Sequence, residues 1–199
     1  MKKQFRSILY LLMLGAIASA FTILQNQPSG LSKGDKAPDF EGKDVAGKTI
    51  KLKDQLKSGP VVVVFYRGQW CPYCNKFLGQ LADSLKLIQA KGATVVAITP
   101  ETLEGAKQTI EKTKAGFPVI HDEGLVISKK YKVNYAVEES MQQKLKNYGI
   151  DLNKANGDNG NNLPIPATYI IGKNGVIKYV YFNPDHTKRP PVKEILDNI

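Results

Sequence analysis

The two cysteines of this 199-residue chain stand three apart, as Cys71-Pro72-Tyr73-Cys74, between a strand-like run and a helix-like one. Upstream lies Val61-Val62-Val63-Val64-Phe65-Tyr66, an apolar stretch of strand length. Downstream, Phe77, Leu78, Leu81 and Leu85 recur at helical spacing. The order is a buried strand, a short turn, and a helix whose first turn holds both thiols. A thiolate at a helix start feels the positive end of the helix dipole, which lowers its pKa and raises its nucleophilicity. A second thiol one turn on is close enough to close a disulfide. The spacing predicts a pair that cycles between dithiol and a Cys71–Cys74 disulfide.

Two other uses of such a pair are disfavoured. A structural zinc needs about four clustered ligands, and the only histidines, His121 and His186, are single and distant in sequence. A purely structural bridge across so few residues removes little entropy from the unfolded chain. No metal or cofactor is expected.

One domain of this length can bury a proper core. The net charge of +10 comes from scattered lysines without a like-charge block, which argues against a nucleic-acid interface. Lys2, Lys3 and Arg6 precede an apolar run from Ile8 to Ala20 that ends in Ala18-Ser19-Ala20. Residues 1–24 therefore predict a cleaved export signal or, if uncut, a membrane anchor, with the folded part outside the cytosol. In an oxidising compartment the two thiols would pair, so turnover implies a reducing partner.

Residues 25–33 predict a flexible lead-in, and 34–199 the folded domain. Thr49 to Leu52 predicts a strand paired with an upstream one across Gly47-Lys48. Ala93 to Thr99 predicts a second buried strand, giving a right-handed βαβ unit around the cysteine helix. Glu101 to Ala115 predicts a surface helix with Glu101 as an acid at its start. Phe117 to Ile120 predicts a short strand ending near His121, and Glu138 to Tyr148 a further helix. Asp151 to Asn162 predicts an exposed connecting loop; its Ala155, Asn156 and Asn162 do not fit a calcium loop. Ala167 to Ile171 and Val176 to Phe182 predict a hairpin about Asn174-Gly175. His186 falls in a polar turn.

Strand, Trp-Cys-x-x-Cys helix, strand, helix, and Ile165-Pro166 opening a hairpin strand together resemble a thioredoxin-like fold, an α/β mixed sheet flanked by helices. Gly34-Asp35-Lys36-Ala37-Pro38-Asp39-Phe40 and Phe117-Pro118-Val119-Ile120-His121-Asp122 resemble segments of the alkyl hydroperoxide reductase/thiol-specific antioxidant group, the peroxiredoxins. Laid on the peroxiredoxin pattern Phe-Tyr-Pro-x-x-x-Thr-x-x-Cys, Phe65 and Tyr66 match. Arg67 replaces Pro, Cys71 replaces Thr, and Cys74 falls on the peroxide-reactive cysteine. The arginine expected just before Ala167 is Pro166. The resemblance implies a thiol peroxidase recharged by a thioredoxin-type reductant.

Thioredoxins offer a different register. There Trp70-Cys71-Pro72-Tyr73-Cys74 matches the dithiol motif, with Cys71 attacking protein disulfides and Cys74 resolving. Pro166 then matches a cis-proline that faces the pair. The acid expected six residues before Cys71 is Phe65, and Arg67 can compensate by lowering a thiolate pKa. Trp70, Pro72 and Tyr73 would line the site. The reading favours a peroxiredoxin-like peroxidase over a protein dithiol–disulfide oxidoreductase, with Cys71 as the lower-pKa attacker because it opens the helix.

Overall fold

The structure, a computed structural model, describes residues 28–199. The leader expected over residues 1–24 lies outside the described residues. From Gly30 the expected lead-in is already laid against the body: its N–H donates to the Lys132 carbonyl at 3.0 Å, and the Leu31 N–H to the Tyr169 hydroxyl at 3.2 Å.

A short antiparallel ribbon, β1 (Glu41–Lys43) and β2 (Thr49–Lys51), opens the chain as expected and leads into α1 (Leu52–Ser58). The main sheet comprises β3 (Val61–Phe65), β4 (Thr94–Thr99), β5 (Val119–His121), β8 (Ala167–Ile171) and β9 (Ile177–Phe182), in spatial order β5-β4-β3-β8-β9. β3 runs parallel to β4 and antiparallel to β8, so the sheet is mixed. Every residue of β3 is buried. That is why an unbroken valine run, and not an alternating one, marks the centre of a sheet covered on both faces.

The two faces bury different halves of the same strands. Val62 and Val64 pack with Phe77, Leu78 and Leu81 of the cysteine helix α2 (Pro72–Asp83) and with the short α3 (Leu85–Ala90). Val61, Val63 and Phe65 turn the other way, toward Tyr131, Tyr169 and Phe40. There the Phe65 ring lies 5.2 Å from Tyr131 and 6.1 Å from Tyr169. Burying each of these side chains stabilises the fold by about 1.5–3 kcal/mol, so the end of β3, where the cysteine loop begins, is firmly fixed.

Helix α4 (Leu103–Thr113) starts two residues later than expected. Its cap is Thr102, whose hydroxyl accepts from the Gly105 N–H at 3.3 Å. This frees Glu101 from a capping role. Further along come α5 (Val126–Lys130), the small ribbon of β6 (Asn134–Ala136) with β7 (Asn162–Pro164), and α6 (Glu139–Asn147).

The exposed loop expected over Asp151 to Asn162 is not observed. Instead α7 (Leu152–Asn156) and a tight turn over Gly157–Asn159 fold there, with Asn156 and Asn159 buried. Asn159 Nδ2 donates to the carbonyls of Pro100 at 2.7 Å and Asp122 at 3.1 Å. The asparagines act as surrogate backbone donors, clamping this segment beneath the end of β4. The hairpin of β8 and β9 forms as expected, and α8 (Val192–Asn198) closes the chain.

Candidate active site

The cysteine loop is built by what can and cannot fit at the end of β3. The Tyr66 N–H still donates to the Ile98 carbonyl at 3.1 Å, prolonging the strand register by one residue. Gly68 then adopts φ 151°, and a Cβ there would come within 2.6 Å of Trp70 Nε1. Its carbonyl accepts from the Cys71 N–H at 3.0 Å, which turns the chain into α2. Pro72 occupies the first helical position, where its missing N–H costs nothing.

Cys71 caps the helix, its sulfur accepting from the Cys74 N–H at 3.3 Å. The two cysteines are joined as a disulfide with Cα atoms 5.3 Å apart. Both are buried, Cys71 at 2% exposed and Cys74 at 0%. Pro72 and Tyr73 face solvent on the first turn, Tyr73 being 45% exposed.

Two arginines belong to this site, Arg67 buried and Arg189 half-buried. Arg67 stacks its guanidinium on Trp70, 4.8 Å from the ring centroid. Arg189, from the segment after β9, donates through Nη2 to Cys74 Sγ at 3.1 Å. Its Nη1 donates to the carbonyls of Lys188 at 2.6 Å and His186 at 3.0 Å. Burial lowers the Arg67 pKa. Burial, and then Arg67, push that of Arg189 down to about 10. Burial followed by the charge of Arg67 also lowers the pKa of His186, whose ring meets Tyr73 edge-on at 6.3 Å. Cation is gathered here without a matching carboxylate: among the described residues every ion pair joins a lysine to an acid elsewhere on the surface.

Behind the loop stands Glu101, 1% exposed. Its carboxylate accepts from the Tyr66 hydroxyl at 2.7 Å, the Gln69 N–H at 2.7 Å and the Thr109 hydroxyl at 2.8 Å. Burial raises its pKa, and these donors, the Gln69 N–H first, pull against that rise. Lys112 also bonds the Gln69 side chain. Glu101 is thus a buried brace of the cysteine loop and not the surface helix-start acid its position suggested. His121 Nδ1 meets the Glu101 backbone carbonyl at 2.7 Å.

Of the residues expected at the site, Cys71, Cys74, Arg67 and Trp70 come together, with Pro72 and Tyr73 on its solvent side. Pro166 is buried at the start of β8, whose Ala167 pairs with Phe65, so it lies at the same end of the sheet. The expectation of a cis bond there is corrected: no cis peptide occurs among the described residues. The Pro166 carbonyl is already engaged, accepting from the Asn183 N–H at 3.3 Å. Glu101, Tyr66, His186 and Arg189 were not foreseen. For Glu101 a signal existed, since the end of a parallel strand in an open α/β sheet is where site residues gather. Arg189 carried none.

A five-stranded mixed sheet with a cysteine pair at the start of the helix after its central strand defines the thioredoxin-fold thiol proteins. The AhpC/TSA family profile matches residues 33–180, and the chain belongs to that family. It is 30% identical over 153 residues to a chloroplastic peroxiredoxin Q of Oryza sativa subsp. japonica, covering 77% of this chain and 60% of that protein. It is 28% identical over 184 residues to the thiol-disulfide oxidoreductase ResA of Bacillus cereus, covering 89% and 87%. Among solved structures, peroxidoxin BcpB of Mycobacterium tuberculosis superposes with a TM-score of 0.66 at 20% identity, over 84% of this chain and 96% of that one. That likeness is one of fold.

Proposed function

We propose that the protein is a thiol peroxidase working through a Cys71/Cys74 dithiol–disulfide cycle. The observation that carries the reading is the guanidinium of Arg189 on Cys74 Sγ. A charge-assisted donor of this kind favours thiolate over thiol. It serves at Cys74 the purpose for which peroxiredoxins hold an arginine at the position of Pro166. The helix start favours Cys71 as attacker; Arg189 favours Cys74, in agreement with the peroxiredoxin register, and we assign peroxide attack to Cys74.

In this reading the Cys74 thiolate attacks the distal peroxide oxygen. The O–O bond breaks, the sulfur is oxidised to a sulfenic acid, and the alkoxide leaves and takes a proton. Cys71 thiolate then attacks the Cys74 sulfur, and water departs as the disulfide closes. A thioredoxin-type dithiol restores both thiols by exchange, entering at Cys71, the less completely buried of the two residues. Glu101 holds the loop so that both cysteines stay at the helix start. The basic residues Lys2, Lys3 and Arg6 and the apolar run after them support an exported compartment in this proposal.

Stopped-flow mixing of the reduced protein with hydrogen peroxide tests the reading. Rapid loss of two thiols per peroxide supports it. Slow loss, beside efficient reduction of a protein disulfide, favours a disulfide oxidoreductase, the activity named for the Bacillus cereus relative.

A further inference from the structure

Arg67 is a buried cation without a partner. It is 5% exposed, its Nε is sealed from solvent with no acceptor, and no carboxylate pairs with it among the described residues. Arg189 already faces the single thiolate the cycle would generate at Cys74. Two guanidinium groups against one thiolate leave one positive charge unmatched, and an unmatched charge as buried as that of Arg67 is costly. The repulsion is felt by Arg189, whose pKa Arg67 helps to lower.

The geometry around Arg67 suits a ligand. Trp70 covers a face of its guanidinium, which leaves the N–H edge to meet an acceptor. That edge matches the two oxygens of a carboxylate or an oxyanion. The twelve-residue helix α2 begins five residues after Arg67, and its first turn carries the positive end of the helix.

We propose that Arg67, with Arg189, seats an anionic oxygen group beside the cysteine pair. The group is either a carboxylate carried by the substrate or a small free oxyanion. This names a substrate class for the peroxidase reading and rests on that reading only for its chemistry. Binding itself needs no turnover.

Trp70 is the only tryptophan of the chain and lies under Arg67, so its fluorescence reports on the seat directly. The oxidised protein is titrated with propionate, with inorganic phosphate, and with propionamide as a neutral control. A saturable change with either anion and none with propionamide is expected, weakened about tenfold or more in Arg67→Gln and in Arg189→Gln. Arg67→Lys keeps the charge without the fork, and serves should the glutamine variant fail to fold.

In a parallel arm, kcat/KM is compared for a hydroperoxy-carboxylate and its methyl ester. A preference for the acid that shrinks in the Arg67 variant identifies the substrate as the source of the anion. Equal rates, with phosphate saturating the fluorescence change, identify a free oxyanion. If both anions behave as propionamide does, or the response is the same in the variants, the seat is refuted even where peroxide is consumed. If the titration holds and no peroxide is consumed, the seat stands and the peroxidase reading falls.

Discussion

The guanidinium of Arg189 lies 3.1 Å from the sulfur of Cys74, the thiol that helix-start reasoning would make the weaker acid. The two cysteines therefore draw on different sources of stabilisation. Cys71 has the Cys74 N–H and the helix end, while Cys74 has a full positive charge.

Replacing Arg189 by Ala should raise the Cys74 pKa by one to two units, from the loss of a charge-assisted bond of about 1.5–3 kcal/mol. Peroxide consumption should fall on the order of 10²-fold. Alkylation of the reduced protein across a pH series, with mass spectrometry to separate the two thiols, measures both. An unchanged Cys74 profile would remove Arg189 from the mechanism.

The order of attack is decided by single cysteine variants. After a brief peroxide pulse, Cys71→Ser should carry a sulfenic acid on Cys74, and Cys74→Ser should remain unoxidised at Cys71. The reverse outcome would return the attack to the helix-capping cysteine.

Tyr66→Phe strips one of three hydrogen-bond donors from the buried Glu101 carboxylate. The expected loss of stability is about 1–3 kcal/mol, read from urea denaturation. The Tyr66 ring and its burial are retained, so a loss near zero would mean that water or a neighbour replaces the hydroxyl.

Glu101 also sets a pH dependence. Its folded pKa is raised above the ordinary 4.5, so the folded state holds this proton more tightly than the unfolded chain does. The resulting stabilisation is complete below 4.5 and is lost as pH rises through the folded value. The stability of the wild type relative to Glu101→Gln should therefore decline from pH 4.5 upward and level off once Glu101 is ionised in the fold. A difference that grows with pH would contradict a raised pKa.

Much of the fold could be read from local pattern. The valine run, the helical spacing after Cys74 and the Asn174-Gly175 turn each specify a structure over a few residues, and all three form. What escaped depends on partners far away. Asp151 to Asn162 has the composition of a loop, yet Asn159 finds the carbonyls of Pro100 and Asp122, which no window of sequence contains. Glu101 reads as a surface acid until Tyr66, Gln69 and Thr109 converge on it. Arg189 is separated from Cys74 by 115 positions in a polar stretch with no periodicity.

The bonds that converge on Glu101 have a mechanical consequence. They tie the loop ahead of the cysteine helix to β3 and α4, so that flank is stiff. The opposite flank, residues 183–188, is held mainly by bonds inside its own turn, from Asp185 and Thr187 N–H groups to the Asn183 and Asp185 side chains. Under the proposed cycle, the flank with fewer ties to the body is the turn that leads into Arg189. If the proposed role of Arg189 holds, the reactivity of Cys74 is then set by an arginine carried on the less braced side of the site.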